Sequence, residues 1–143
     1  VILSLGGYAS ARELARFYVT AHPDLARRFA EANPDLMDAT ARQALATGNL
    51  EPLSPELRRR LDALSPARVV AGLRARLLIV HGRDDPAVPF TESLRLAEAA
   101  RALGPRVVIV GAIGHVEAGA GQRLRDLLAL WRITRELLAD QAR

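Results

Sequence analysis

Three short apolar runs constrain this chain more than any other feature of it. Val1-Ile2-Leu3-Ser4-Leu5 stops at Gly6-Gly7, Arg76-Leu77-Leu78-Ile79-Val80 at His81-Gly82, and Arg106-Val107-Val108-Ile109-Val110 at Gly111. Each run is continuous rather than alternating, β-branched in part and closed by glycine. That is the pattern of a strand buried on both faces in a parallel sheet covered by helices. Between the second and third runs, residues 91–103 carry Leu94, Leu96, Ala97, Ala100 and Leu103 at helical spacing, with Gly104-Pro105 as the stop. Strand, helix and strand in this order predict a βαβ unit with a right-handed crossover. A last helix over 121–139 is predicted to lay Leu124, Leu127, Leu128, Trp131, Ile133 and Leu137 on a sheet face, with Trp131 as core. The predicted class is α/β: a partial parallel sheet of about three strands covered by helices.

Residues 9–75 contain no β-branched run. They contain helix starts instead: Asn33-Pro34-Asp35, Ser54-Pro55-Glu56 and Ser65-Pro66 each set a capping side chain before a proline at the first helical position. Four or five short helices are expected between Ser10 and Ala75. Helices inserted between two strands of one sheet make either a cap or a large crossover, and the chain is read as one domain, 1–143, with 10–66 as a helical cap or insertion. Ser10, Ser54, Ser65 and Ser93 read as helix-start or helix-face residues, and Arg58-Arg59-Arg60 as a solvated helix face.

Composition removes several classes. A chain of 143 residues that is 50% hydrophobic and 25% charged is folded rather than disordered. No apolar run approaches the ~20 residues needed to span a bilayer. Without cysteine there is no disulfide, thiolate metal site or Cys nucleophile. All 20 basic residues are arginine against 16 acidic ones, for a net charge of +4. The arginines are spread along the chain and aromatics are only 4%, so the excess reads as the coding bias of a GC-rich genome and no nucleic-acid partner is expected. The chain opens directly on an apolar run at Val1, its single methionine is Met37, and no signal-peptide pattern leads in. It reads as the C-terminal portion of a longer protein, with a cytoplasmic location expected.

Two loops can carry chemistry. His81-Gly82-Arg83-Asp84-Asp85-Pro86-Ala87-Val88-Pro89 follows the second strand, where ligands of parallel α/β sheets bind. The two aspartates can serve a site there, or simply cap a helix or form a turn with Pro86. Gly111-Ala112-Ile113-Gly114-His115-Val116-Glu117 follows the third strand, and a histidine in such a loop can reach the neighbouring strand's acid and act as general base. His81 reads as structural support for the turn, and His22 before Pro23-Asp24 as a surface turn residue.

H-G-x-x-D-P-x-V-P, then a helix, a strand and Gly114-His115, resembles the C-terminal part of α/β-hydrolase-fold enzymes of the serine esterase and lipase kind. Phe90-Thr91-Glu92-Ser93 is similar to esterase-type members. The resemblance implies a Ser-Asp-His triad with Asp85 as the acid and His115 as the base, Asp84 being the runner-up for the acid. It implies hydrolysis of a carboxylic ester or similar acyl bond in a small-molecule substrate, with no cofactor and no metal. Phe17, Tyr18, Leu36 and Met37 are the side chains that could line an acyl pocket. No G-x-S-x-G occurs. The nearest match is Ile2-Leu3-Ser4-Leu5-Gly6-Gly7, but Ile2 crowds the position two before Ser4 and no further strand follows before the acid's strand. The nucleophile and oxyanion hole are therefore expected upstream, leaving this fragment inactive by itself. The competing readings are a non-catalytic hydrolase-like scaffold or dimerisation module, with a homodimer as the partner that an open strand edge invites, and an aspartate-nucleophile enzyme on the same fold. A Rossmann-type nucleotide domain fits less well, because Gly111-Ala112-Ile113-Gly114 lacks the full G-x-G-x-x-G.

Overall fold

The computed structural model describes residues 1–111 and 120–141, the side chains of 120–123 and 140–141 excepted. Its strands are β1 (Ile2–Leu5), β2 (Leu77–Gly82) and β3 (Arg106–Val110), and its α-helices are α1 (Ala11–Ala21), α2 (Pro23–Ala32), α3 (Ala39–Thr47), α4 (Pro55–Ala63), α5 (Phe90–Ala99) and α6 (Ala120–Gln141). The strands form one parallel sheet, as the apolar runs predict, in the order β1-β2-β3; β1 departs from the expected burial on both faces, leaving Ile2 and Leu5 exposed. The central strand β2 is buried along its whole length, which is why its run has no polar alternation. Among the described residues no helix is long and apolar enough to cross a membrane. The chain divides into two compact units, one of residues 1–9 with 66–143 and one of residues 10–65.

In the sheet unit, alternate β2 side chains feed two cores. Leu77 and Ile79 pack with Ala9, Val70 and the α5 residues Leu96 and Ala100. Leu78 and Val80 pack with Val110 and the α6 residue Ile133. The inward side of α5 differs from the expected stripe: Leu94 is exposed, while Glu92 and Ser93 are buried. Their polar atoms are satisfied by the segment after β1, since the Glu92 carboxylate accepts from the Ala9 N–H at 3.1 Å and the Ser93 hydroxyl donates to the Gly7 carbonyl at 3.0 Å.

The last helix corrects the sequence reading. Ile133 and Leu137 reach the sheet with Leu130, but Leu124, Leu127, Leu128 and Trp131 are exposed, Trp131 to 58%. The rotation of α6 is fixed by polar contacts instead. Asp126, buried, accepts from the Gly111 N–H at 2.9 Å, and Glu136 pairs with Arg76 at 2.9 Å and with Arg106. Residues 126, 130, 133 and 137 share one helix face, and the large stripe around Trp131 is turned about a third of a revolution from it.

In the helical unit, Ser10 caps α1 through the Glu13 N–H and Ser54 caps α4 through the Leu57 N–H. The other two expected caps are used elsewhere. The Asn33 side chain donates to the Phe29 carbonyl, closing α2, and the Ser65 hydroxyl donates to the Leu61 carbonyl and accepts from the Ala11 N–H. Short 3-10 turns, Pro34–Leu36 and Pro66–Arg68, stand where helices were expected. The cap of α3 is Asp38, which the sequence reading passed over. Its carboxylate accepts from the Ser54 and Thr40 hydroxyls and the Ala41 N–H, which holds its pKa down to about 2. A group depressed in this way adds stability above its ordinary value of 3.8 and loses it as pH falls towards 2. Arg59 and Arg60 are solvated as expected and pair with Glu56, holding that carboxyl below its ordinary value.

Candidate active site

At the carboxyl end of the parallel sheet three segments leave side by side. The β1 chain leaves through Gly6, whose N–H still donates to the Val80 carbonyl at 2.9 Å and whose φ of +60° is a left-handed conformation that favours glycine. The β2 chain leaves into Arg83-Asp84-Asp85, and the β3 chain leaves at Gly111. The last two departures are joined, because the Arg83 N–H donates to the Val110 carbonyl at 2.8 Å. The Asp85 turn and Gly111 therefore start from one hydrogen-bonded rim.

Asp85 is held at that rim. Its backbone N–H closes on the Gly82 carbonyl at 3.4 Å. Its Oδ1 accepts from the Ala87 N–H at 2.8 Å and the Val88 N–H at 3.0 Å, an Asx turn that Pro86 and Pro89 frame. The local-structural reading of this residue thus holds: one oxygen builds the turn. The other, Oδ2, lies 3.5 Å from His81 Nε2, and a Cβ on Gly6 would stand 3.5 Å from it. The Asp85 side chain is 28% exposed. Asp84, the runner-up, is exposed and takes part in none of these bonds.

His81 is more than a strand terminus. It lies inside β2, and its side chain is fully buried. Nδ1 meets the Ser93 hydroxyl at 2.6 Å and Nε2 meets the Val88 carbonyl at 2.9 Å. Sequence reasoning placed Ser93 on a helix face without a role. The signal that could have found it is a histidine at the inward position of an otherwise aliphatic strand, which needs a polar partner on the covering helix.

Ser4 is not placed for nucleophilic attack at a strand-to-helix turn. It sits within β1 opposite Ile79, and a Cβ on Gly7 would come within 2.2 Å of its hydroxyl oxygen, so the chain folds tightly back over it. His115 lies outside the described residues. The last described residue before it is Gly111, whose N–H donates to Asp126 Oδ2 at 2.9 Å. His22 ends α1 and packs edge-on against Phe17. Within the helical unit an open surface groove of about 260 Å³ is lined by Arg27, Ala30, Glu31, Pro34, Met37, Arg42 and Leu45; of the four expected lining residues it includes only Met37. Among the described residues no group of His, Asp and Glu side chains could hold a metal ion.

A family model described as the prolyl oligopeptidase family matches residues 4–130. Among solved structures, the chain is similar to the Pyrococcus horikoshii acylaminoacyl peptidase in its orthorhombic crystal form, with 23% identity over 76% of this chain and 14% of that chain and a TM-score of 0.42. It is similar to an acylaminoacyl peptidase in complex with Z-Gly-Gly-Phe-chloromethyl ketone, with 23% identity over 92% of this chain and 19% of that chain and a TM-score of 0.49. The chain spans less than a fifth of the length of either. No curated protein matches it. The family match agrees with the α/β-hydrolase resemblance carried by the two loop motifs.

Proposed function

Because the chain belongs to the prolyl oligopeptidase family, we propose that the full-length protein is a serine peptidase and that this chain supplies the acid, Asp85, and the base, His115, of its triad. The acyl bond in this reading is a peptide rather than the carboxylic ester suggested by the esterase-like motif. The observation that carries it is the Asp85 carboxylate at the sheet rim, with Oδ1 committed to two backbone N–H groups and Oδ2 engaged only by His81 Nε2 at 3.5 Å, which leaves it a lone pair for a second ring N–H.

The chemistry follows from that division. His115 takes the proton of a serine hydroxyl as it attacks the peptide carbonyl, then passes a proton to the leaving amine. Asp85 Oδ2 fixes the imidazole tautomer and stabilises the imidazolium that forms in between. Because Oδ1 is pinned by the Ala87 and Val88 N–H groups, the carboxylate cannot turn away between steps. The serine and the donors that stabilise the oxyanion belong, in this proposal, to the segment upstream of Val1, and the helical unit of residues 10–65 is the cap insertion.

The test uses the full-length protein and a chromogenic peptide anilide. Asp85→Asn and His115→Ala should each lower kcat by ~10³ or more, and a serine-reactive fluorophosphonate should label the parent protein. Near-parental turnover in either variant removes that residue from the triad, and a parent that stays unlabelled is a scaffold.

A further inference from the structure

We infer that His81 and Ser93 form a positioning pair for the triad acid, locking the turn that aims the Asp85 carboxylate. This rests on the reading of Asp85 as that acid and adds two residues that do not touch the substrate.

The pair is costly unless it does something. Position 81 continues the inward row of Leu77 and Ile79 on the α5 side of β2, where an aliphatic side chain would extend the core. It holds a fully buried imidazole instead, and Ser93, which faces it, has 0% exposure. Burying two polar side chains in an apolar layer is unfavourable unless each finds partners, and here they do. The Ser93 hydroxyl lies 2.6 Å from His81 Nδ1 and 3.0 Å from the Gly7 carbonyl and shares its single hydrogen between these two acceptors. The network thus joins the end of β1, the strand β2, the helix α5 and the turn at Val88.

The ring's protonation at Nε2 follows from its neighbours. The Val88 carbonyl at 2.9 Å and Asp85 Oδ2 at 3.5 Å can both only accept, so Nε2 carries the hydrogen. The Nε2–H fixes the Val88 carbonyl and, through it, the residue whose own N–H holds Asp85 Oδ1 at 3.0 Å. The same hydrogen presents positive charge to Oδ2, the oxygen left for the catalytic base. Ser93 keeps the ring from swinging. One buried side chain therefore restrains both oxygens of the acid, one through the turn and one through the field. Groups that hold a functional side chain in this way matter because a displacement of ~1 Å at a reacting constellation can cost ~10² in rate.

The test measures kcat and KM of the full-length protein on the peptide anilide, with circular dichroism fixing the folded fraction. His81→Ala should lower kcat by about 10- to 100-fold with KM changed less than about twofold. His81→Gln, which returns an N–H near the Nε2 position, should recover most of that loss. Ser93→Ala, a change of a single oxygen, should lower kcat by a smaller factor of about 3 to 10. Parental kcat in both His81→Ala and Ser93→Ala, with Asp85→Asn inactive, overturns the positioning role while leaving the triad reading intact. So does a His81→Gln enzyme no better than His81→Ala at equal folded fraction. An active Asp85→Asn enzyme overturns the triad reading and this inference with it.

Discussion

The two faces of the sheet are closed in different ways. On the α5 side, Leu77, Ile79 and Leu96 are exposed by 5% or less, although the helix points a carboxylate and a hydroxyl inward. On the α6 side, the helix has more large apolar residues to offer and leaves four in a row outside, Leu124, Leu127, Leu128 and Trp131. The apolar content of a helix therefore does not decide how fully it commits to a sheet. The polar latches decide which side faces in: Glu92 and Ser93 for α5, Asp126 and Glu136 for α6. The proposed acid rises from the closed face, beside His81 and Ser93, and Gly111, the last described residue before the proposed base, is tied to the other face through Asp126.

Truncating one isoleucine on each side measures this difference. Ile79→Ala removes a side chain of 0% exposure from the middle of the closed cluster, and should cost near the upper end of the ~2–5 kcal/mol range for such changes. Ile133→Ala, 2% exposed on a helix with one free side, should cost near the lower end of that range, because α6 can settle towards the gap. Urea denaturation of the two variants checks the order. Equal losses would mean that α6 is as firmly held as α5.

The latch on the open side can be cut directly. Asp126→Ala leaves the half-buried Gly111 N–H without its acceptor and should cost about 1–3 kcal/mol. Asp126→Asn keeps an oxygen for that N–H and should cost less. If the two variants lose the same stability, the Asp126–Gly111 bond is not what orients α6.

Legibility in the sequence followed the same division. The strands were readable because β2 is buried on both sides and β1 and β3 flank it, so continuous apolar runs and terminal glycines had a single reading. Asp85 was readable as a turn-former at a strand's carboxyl end, and it is one. Cap positions were half readable: Ser10 and Ser54 act as expected, whereas Asn33 and Ser65 give their side chains to neighbouring segments and Asp38 takes the vacant role. Such choices depend on which backbone group happens to come near, and no local pattern encodes that. The inward use of Ser93 was hidden because its partner, His81, is twelve residues away and on another element. The orientation of α6 was misread because periodicity finds apolar stripes, and this helix has two. The heavier stripe is the one left outside.

The smallest expected effect tests that last point most cleanly. Trp131 is the chain's single tryptophan, so its fluorescence reports one site. With 58% of its surface exposed and the Arg135 guanidinium 5.6 Å from its ring centroid, its contact with the rest of the fold is slight. Trp131→Ala should therefore change stability by no more than about 0.5 kcal/mol, as surface substitutions do, with at most a cation–π contribution of similar size lost at an exposed site. In the parent chain the emission should be red-shifted and readily quenched by acrylamide. A core tryptophan would behave oppositely on both counts, costing about 3–5 kcal/mol on truncation and resisting the quencher. That result would turn α6 about its axis, put the heavy stripe on the sheet, and make the Asp126 latch incompatible with the fold.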